Sequence, residues 1–155
     1  MILLAMFTMS GCTKSYKNIT TDEISNNILH EDENLQKSDK KMLKRLYGLN
    51  SSDYEEVSLY ISKSTMEVNE VLIVKLKDKN QIESIECAME QRVSNQLNNF
   101  GGYAPEQTKI IEDYELIARG KFVFLCIGEN AENNKQIFIE SIKVRSEERR
   151  VGKEC

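Results

Sequence analysis

The chain has 155 residues, of which 40% are hydrophobic and 30% are charged. This composition is ordinary for a globular protein, and the length predicts one domain that can bury a core. The formal net charge is −4, which gives no reason to expect a nucleic acid partner, because phosphates are bound by a basic surface. One His and no Trp leave few groups for acid–base chemistry near neutral pH.

The amino-terminal segment 1–9 is apolar and uncharged, and it is followed by two small residues and Cys12. Nine helical residues reach roughly 14 Å, about half the hydrocarbon core of a bilayer, so this segment is too short to span a membrane. It is typical of the apolar part of a secretory signal with small residues at the cleavage site. The sequence at 9–12 resembles a bacterial lipobox, with Met9 in place of the usual Leu.

We therefore expect residues 1–11 to be a lipoprotein signal peptide and Cys12 to carry a thioether-linked lipid. No basic segment precedes the apolar run, so we expect the true translation start to lie upstream. Residues 12–20 then form a polar tether, and the lipid holds the protein to the extracytoplasmic face of the cell membrane. The alternative is a buried N-terminal strand with a free Cys12.

The carboxyl-terminal segment 145–155 is highly charged, with seven charged residues out of eleven. It resembles a foreign stretch that recurs at the ends of unrelated translated assemblies, and a disordered charged tail is the alternative. We expect a single domain over residues 21–144. Its two cysteines, Cys87 and Cys126, lie in apolar patterns, which predicts two buried thiols, with a disulfide between them as the alternative.

The domain begins with two predicted helices. The first covers residues 22–29 after a Thr cap, and the second starts at Ser38 or Asp39 and ends at Gly48. The polar segment 31–38 between them is predicted to be a loop. The second helix has the densest basic patch of the chain, which is either a solvated face or a surface for anionic lipid. This patch consists of Lys40, Lys41, Lys44 and Arg45.

Four strands and a long helix follow in the predicted order. Strands at 57–62 and 71–76 precede a helix over 82–100, in which apolar residues recur every three or four positions. After a short helix at 106–113, strands at 116–118 and 121–127 form a hairpin around Gly120. A final helix completes the domain. We expect an α+β fold with an antiparallel sheet of about four strands in two hairpins. The long amphipathic helix covers one face, with flanking N- and C-terminal helices.

Part of this region resembles a known family. The residues that carry the resemblance are Glu70, the strand 71–75, Arg92, Gln96, the segment 103–107 and the segment 120–123. In this order and spacing, the chain is similar to a family of small bacterial lipoproteins known as domain of unknown function 4358. The resemblance implies a location and a fold more than an activity. The chain departs from it at Phe122, where the family usually has Tyr.

Three residues are candidates for contact with a ligand or a partner. Arg92 lies beside the apolar stripe of the long helix and can pair with a carboxylate or a ligand. In the structural alternative, the aliphatic part of the Arg92 side chain packs on apolar surface and its guanidinium binds a loop carbonyl. Tyr103 either presents an aromatic ring to a partner or packs over the end of the long helix. Lys75 points opposite to Val74, so we expect it on the solvent side. Lys75 and Arg92 can form an anion site only if both side chains emerge on the same face of the sheet.

We expect no cofactor and no metal, because a metal centre needs several converging ligands, and the His and Cys residues are dispersed. The sequence also lacks a phosphate-binding loop and the motifs of nucleophilic catalysis. We therefore expect a non-enzymatic binding or assembly module that contacts another protein of the cell envelope. The alternatives are a small envelope hydrolase that uses acidic residues, and a receptor for a small ligand.

Overall fold

The computed structural model describes residues 16–30 and 34–143. The expected signal peptide 1–11, the lipidation of Cys12 and the charged tail 145–155 lie outside the described residues. The helices are α1 (Thr21–Ile28), α2 (Lys40–Tyr47), α3 (Ile82–Phe100), α4 (Pro105–Glu112) and α5 (Ala131–Ile142). The strands are β1 (Leu35–Lys37), β2 (Glu56–Ser62), β3 (Glu70–Lys75), β4 (Glu115–Arg119) and β5 (Phe122–Ile127).

The strands form one antiparallel sheet in the order β1-β2-β3-β5-β4. The predicted α+β class is confirmed, with its two hairpins, its long helix and its flanking helices. The sheet has five strands where about four were expected. The additional strand is β1, which lies in the segment predicted to be a loop. Leu35 is its one apolar residue, and a three-residue edge strand produces no readable alternation.

Helices cover both faces of the sheet. Side chains of the central strands alternate, so Leu72 and Val74 face one layer and Val71 and Ile73 face the other. The first layer contains α2, α3 and α4, and we call this side the α3 face. The second contains α1 and α5, and we call it the α5 face. Because both faces are covered, β3 and β5 are buried along their whole length.

The helix ends follow local rules that the sequence displays. Thr20 caps α1 in a capping box with Glu23, and the Asp39 side chain accepts a hydrogen bond from Met42 N at the start of α2. Gly48 ends α2 with φ 70°, a conformation that glycine adopts without strain. In α3 the buried positions Ile85, Met89 and Val93 follow the predicted stripe. No helix among the described residues is both long enough and apolar enough to cross a bilayer.

The two cysteines of the domain lie on opposite sides of the sheet. Cys126 is buried on the α5 face, where the side-chain amide of Asn134 lies 3.5 Å from its Sγ. Cys87 is exposed on α3, which covers the other face. The prediction of two buried thiols is therefore wrong for Cys87, which lies on the solvent side of the helix although its sequence neighbourhood is apolar.

Candidate functional site

A groove of about 460 Å³ lies on the α3 face, at the end of the sheet where β3 begins. Its walls are α2, the second half of α3 and the loop 63–69 that joins β2 to β3. We call it the α2–α3 groove. Apolar side chains from all three elements line it, namely Met42, Leu46, Val68 and Phe100. Its polar lining includes Arg45, Glu70, Arg92, Gln96 and Asn99.

A buried ion pair forms the inner wall of the groove. Glu70 is the first residue of β3 and is only 2% exposed. Arg92 reaches it from α3, with Nη2 2.7 Å from Oε2 and Nε 3.1 Å from Oε1. The side chain of Arg92 is itself 12% exposed. Two donors on one carboxylate fix the guanidinium in direction as well as in position.

Tyr47 completes this pair from the end of α2, where its hydroxyl donates a hydrogen bond to Oε1 of Glu70. Burial and the neighbouring Glu70 charge raise the pKa of Tyr47 well above its ordinary value. Burial opposes the charge of Arg92, but its hydrogen bond and attraction to Glu70 outweigh that effect and raise the Arg92 pKa. One carboxylate thus joins α2, β3 and α3.

Arg92 therefore has a carboxylate partner, as one interpretation of its sequence position anticipated. Its guanidinium binds the Glu70 side chain and not a loop carbonyl. Sequence analysis assigned no role to Tyr47, which lies in the second predicted helix. A Glu that precedes four apolar strand residues signals that, if it is buried, it needs a cation as a partner. The sequence does not show which cation that is, because Arg92 lies 22 positions away.

Gln96 is a groove residue that sequence analysis noted only through the family resemblance. It lies one helical turn after Arg92 and is 7% exposed. Its side-chain amide lines the groove and makes no hydrogen bond to another described residue. Asn99, an exposed residue on the same wall, also has no such bond. These two amides can donate to and accept from a bound molecule.

Tyr103 lies beyond the groove wall and is 86% exposed, so the alternative of a ring packed over the helix end is wrong. It follows Phe100, a groove residue, by three positions and lies in the turn before α4. Met66, 76% exposed, lies in loop 63–69, which forms another wall of the groove. The side-chain oxygen of Gln107 in α4 accepts a hydrogen bond from Val68 N at 3.1 Å, which ties this loop to α4.

Lys75 does not join this site. It is 6% exposed and lies on the α5 face at the other end of β3, so the prediction of a solvent-side lysine is wrong. Its Nζ lies 3.2 Å from Glu55 Oε1, 3.2 Å from Asn18 Oδ1 and 5.7 Å from the centre of the Phe122 ring. Because Arg92 is on the α3 face, the two cations cannot form one anion site.

A second cavity, of about 630 Å³, opens on the α5 face between α1, α5 and the strand ends. Asparagines from several elements line it, and its acidic side chain, Glu129, is exposed. It lacks the buried charged group that distinguishes the α2–α3 groove. Within residues 16–30 and 34–143, no three His, Cys, Asp or Glu side chains form a group that could hold a metal ion.

The fold and the site define a small antiparallel α+β domain with a groove built beside a buried ion pair. Residues 29–128 match the family model described as a domain of unknown function, DUF4358. The match covers more than half of the chain, and the protein belongs to this family. The matched region begins well before the segment that carried the resemblance. No curated protein and no solved structure matches the chain significantly.

Proposed function

We propose that this protein is a membrane-anchored binding module on the extracytoplasmic side of the cell, with its lipid on Cys12. Its α2–α3 groove docks an acidic segment of another protein of the cell envelope. The observation that carries this proposal is the convergence of Glu70, Arg92 and Gln96 on the groove. These residues carry the family resemblance and are far apart in sequence. Gln107, from the same set, positions the groove wall through Val68.

The chemistry of the groove suits a peptide segment. Apolar side chains line part of it, and the amides of Gln96 and Asn99 offer hydrogen bonds to a peptide main chain. Exposed Tyr103 and Met66 provide large contact surfaces beside it. Such a combination of an apolar lining and a few oriented polar groups is typical of a binding surface.

The four cations of α2 favour an acidic partner, and they outnumber Glu67, the exposed carboxylate that also lines the groove. Arg45 lines it, and the other cations of α2 are exposed on the same short helix. Within the described part of the chain, none of the four forms an ion pair with an acidic side chain. Positive charges without carboxylate partners attract an oppositely charged segment and increase its rate of association. We therefore expect binding to weaken as the salt concentration rises.

The first described residue, Tyr16, lies at the end of the domain away from the groove. Tyr16, which follows Cys12 by four positions, packs against the turn at Gly120. That turn lies beside Leu76, whose N donates to Lys121 O at 2.7 Å, at the end of β3 opposite Glu70. Six residues of strand span roughly 20 Å. The groove therefore lies about one strand length from Tyr16, the described residue nearest to the proposed lipid on Cys12.

Site-specific photo-crosslinking in intact cells tests the proposed docking. A photoreactive amino acid replaces Tyr103 beside the groove or, as the control, Lys79, which is exposed before the first turn of α3. The length of α3, roughly 28 Å, separates the two positions. We expect an adduct with an envelope protein from position 103 and none from position 79. Equal yields from both positions would contradict the proposal.

Neighbouring residues of α3 provide a matched pair of groove variants. Asn99→Trp fills the groove, whereas Asn98→Trp places the same side chain on an exposed position outside it. Neither residue contributes to the buried core, so both variants should fold. We expect the adduct from position 103 to be lost in Asn99→Trp and retained in Asn98→Trp. An adduct that survives both changes would show that the partner binds elsewhere.

The anchor is tested separately. Replacing Cys12 with Ser removes the sulfur that would carry the lipid, so we expect the protein to leave the membrane fraction and appear in the medium. Intact-mass analysis of the unchanged protein should show an acylated Cys12 as the first residue. An unmodified chain that retains residues 1–11 would contradict the anchor without affecting the groove.

A further inference from the structure

The edge strand β4 has main-chain groups on its outer side that pair with no other strand among the described residues. Leu76 N donates to Lys121 O, so the Leu76–Lys121 pair is hydrogen-bonded. Along β5, every second residue after Lys121 therefore directs its main-chain groups to β3. Val123 and Leu125 then bond to β3, and the residues between them bond to β4. Glu115, Ile117 and Arg119 therefore bond inward. It follows that the main-chain N–H and C=O groups of Leu116 and Ala118 point away from the sheet.

We propose that β4 of a second copy of this chain pairs antiparallel with this edge, so that one sheet continues through both copies. The sequence of the strand, E-L-I-A-R, is complementary to itself in this arrangement. A two-fold axis at Ile117 places it opposite Ile117 of the second copy. Leu116 then lies opposite Ala118, and Glu115 lies opposite Arg119. Leu116 and Ala118 form the hydrogen-bonded pairs, which is the alternation that the outward groups require.

The charges support this register. Arg119 is exposed, and its Nη1 donates to the outward carbonyl oxygen of Ala118 at 3.2 Å, a contact that pairing with a second copy would replace. Within the described part of the chain it has no carboxylate partner. Glu115 lies 2.8 Å from Lys135 of α5, on the face to which Ile117 and Arg119 also project. The second copy would bring its Glu115 beside Arg119 and its Arg119 beside Glu115, so the two contacts are equivalent.

The other edge of the sheet does not offer this surface. Strand β1 has three residues, and Lys37 is already paired with Asp22 at 2.7 Å. Very short strands and lysine side chains are common ways in which proteins protect an edge from pairing. The longer edge at β4 has a charge pattern that matches its own reverse. Pairing through this edge also leaves the α2–α3 groove open.

Cysteine crosslinking tests the register in cells that produce the whole chain. In a Cys87→Ser and Cys155→Ser background, Ile117→Cys places two thiols opposite each other in a non-hydrogen-bonded pair. There the Cα atoms lie about 4.5 Å apart, within the range for a disulfide. Ala118→Cys is the control, because its two copies are displaced by two residues and lie beyond about 7 Å. After treatment with a membrane-permeant oxidant, we expect a dimer on non-reducing gels for position 117 and little for position 118.

A charge reversal distinguishes the proposed contact from chance collision. Arg119→Glu places like charges opposite each other twice, and we expect it to lower the yield of the Ile117→Cys dimer roughly tenfold. Lys121→Glu makes the same change in charge on an exposed residue of the adjacent turn and should leave the yield unchanged. Equal yields at positions 117 and 118, or equal effects of the two reversals, would overturn the proposal. Those outcomes are also expected if another segment of the same chain, and not a second copy, covers β4.

Discussion

The two ends of strand β3 each hold a buried charge, and the two charges are stabilised in different ways. At the groove end, Glu70 and Arg92 are both largely removed from solvent, with 2% and 12% of their side chains exposed. At the other end, the Lys75 side chain is 8% exposed, but its partner Glu55 is 43% exposed. The first pair is enclosed by protein, whereas the second opens to water through one partner.

This difference determines what happens when one partner is removed. A buried charge that loses its counterion keeps its desolvation cost, and the loss of stability is large. A half-exposed charge in the same situation is solvated by water instead. Buried ionic residues on one strand can therefore differ severalfold in their contribution to stability. For the stability that is lost when an ion pair is broken, the solvent exposure of the remaining charge decides more than that of the residue removed.

The largest effect should come from Arg92→Met, which keeps most of the side-chain volume and removes the charge. Glu70 would then be buried with Tyr47 as its remaining partner. We expect the free energy of unfolding to fall by about 3–5 kcal/mol, measured by urea denaturation of the whole chain. Lys37→Met is the control, because it breaks an ion pair whose side chains are about half exposed and should cost less than about 1 kcal/mol.

A loss below about 1 kcal/mol in Arg92→Met would contradict the description of this pair as enclosed. It would mean that Glu70 finds another partner or reaches water. The double variant Glu70→Gln with Arg92→Met shows whether the unpaired carboxylate or the lost packing of Arg92 causes a loss of stability. If the unpaired carboxylate causes the loss, the double variant should recover part of the stability.

Tyr47→Phe should have an intermediate effect. It removes the hydroxyl that donates to Glu70 and leaves a buried carboxylate with one fewer hydrogen bond. We expect a loss of about 1–3 kcal/mol by the same denaturation measurement. Tyr54→Phe is a suitable control, because no hydrogen bond of the Tyr54 hydroxyl connects it to an ionised group among the described residues. A loss equal to that control would show that the contact with Glu70 adds nothing.

The same tyrosine predicts a dependence on alkaline pH. Burial and the Glu70 charge raise the pKa of Tyr47 in the folded state above its unfolded value near 10. Its contribution to stability is complete below that value and is lost as the pH rises above it, because the unfolded state releases the proton first. The slope is at most about 1.4 kcal/mol per pH unit. Unfolding measured from pH 9 to 11.5 should therefore be steeper than in Tyr47→Phe, and parallel curves would contradict this.

The smallest effect should come from Lys75→Met. The change removes the contacts with Glu55 and Asn18, but Glu55 can be solvated and the methionine can still pack on Phe122. We expect a change within about 1 kcal/mol in either direction. A loss comparable to that of Arg92→Met would remove the distinction between the two ends of β3.

Sequence analysis predicted the elements whose local signals are strong. The stripe in α3, a Thr cap before α1, the start of α2 at Ser38 or Asp39 and its end at Gly48 all depend on neighbouring residues. The missed strand, β1, is formed by its pairing with β2, because its own three residues have little strand character. Its existence is thus determined by tertiary contacts.

The candidate site was predicted less completely, and the reason is tertiary contact. Arg92 was identified from its position beside the apolar stripe. Lys75 was placed in solvent because alternation gives its direction but does not show that a second helical layer covers that face. Tyr47 and Gln96 appear in the site only because α2, α3 and β3 meet at one end of the sheet. No spacing of residues in the sequence shows that these three elements come together there.

The contact between Tyr16 and the turn at Gly120 has a mechanical consequence if the proposed lipid on Cys12 tethers the protein. Tyr16 pairs with Lys143 through an isolated bridge, and Lys17 N donates to Ile142 O at 2.9 Å. A pull through Cys12 would load these few bonds before any strand of the sheet. Releasing residues 16–18 would lengthen the tether by roughly 10 Å and leave Ile19 and the core in place. The domain could thus yield slightly under tension and keep its fold.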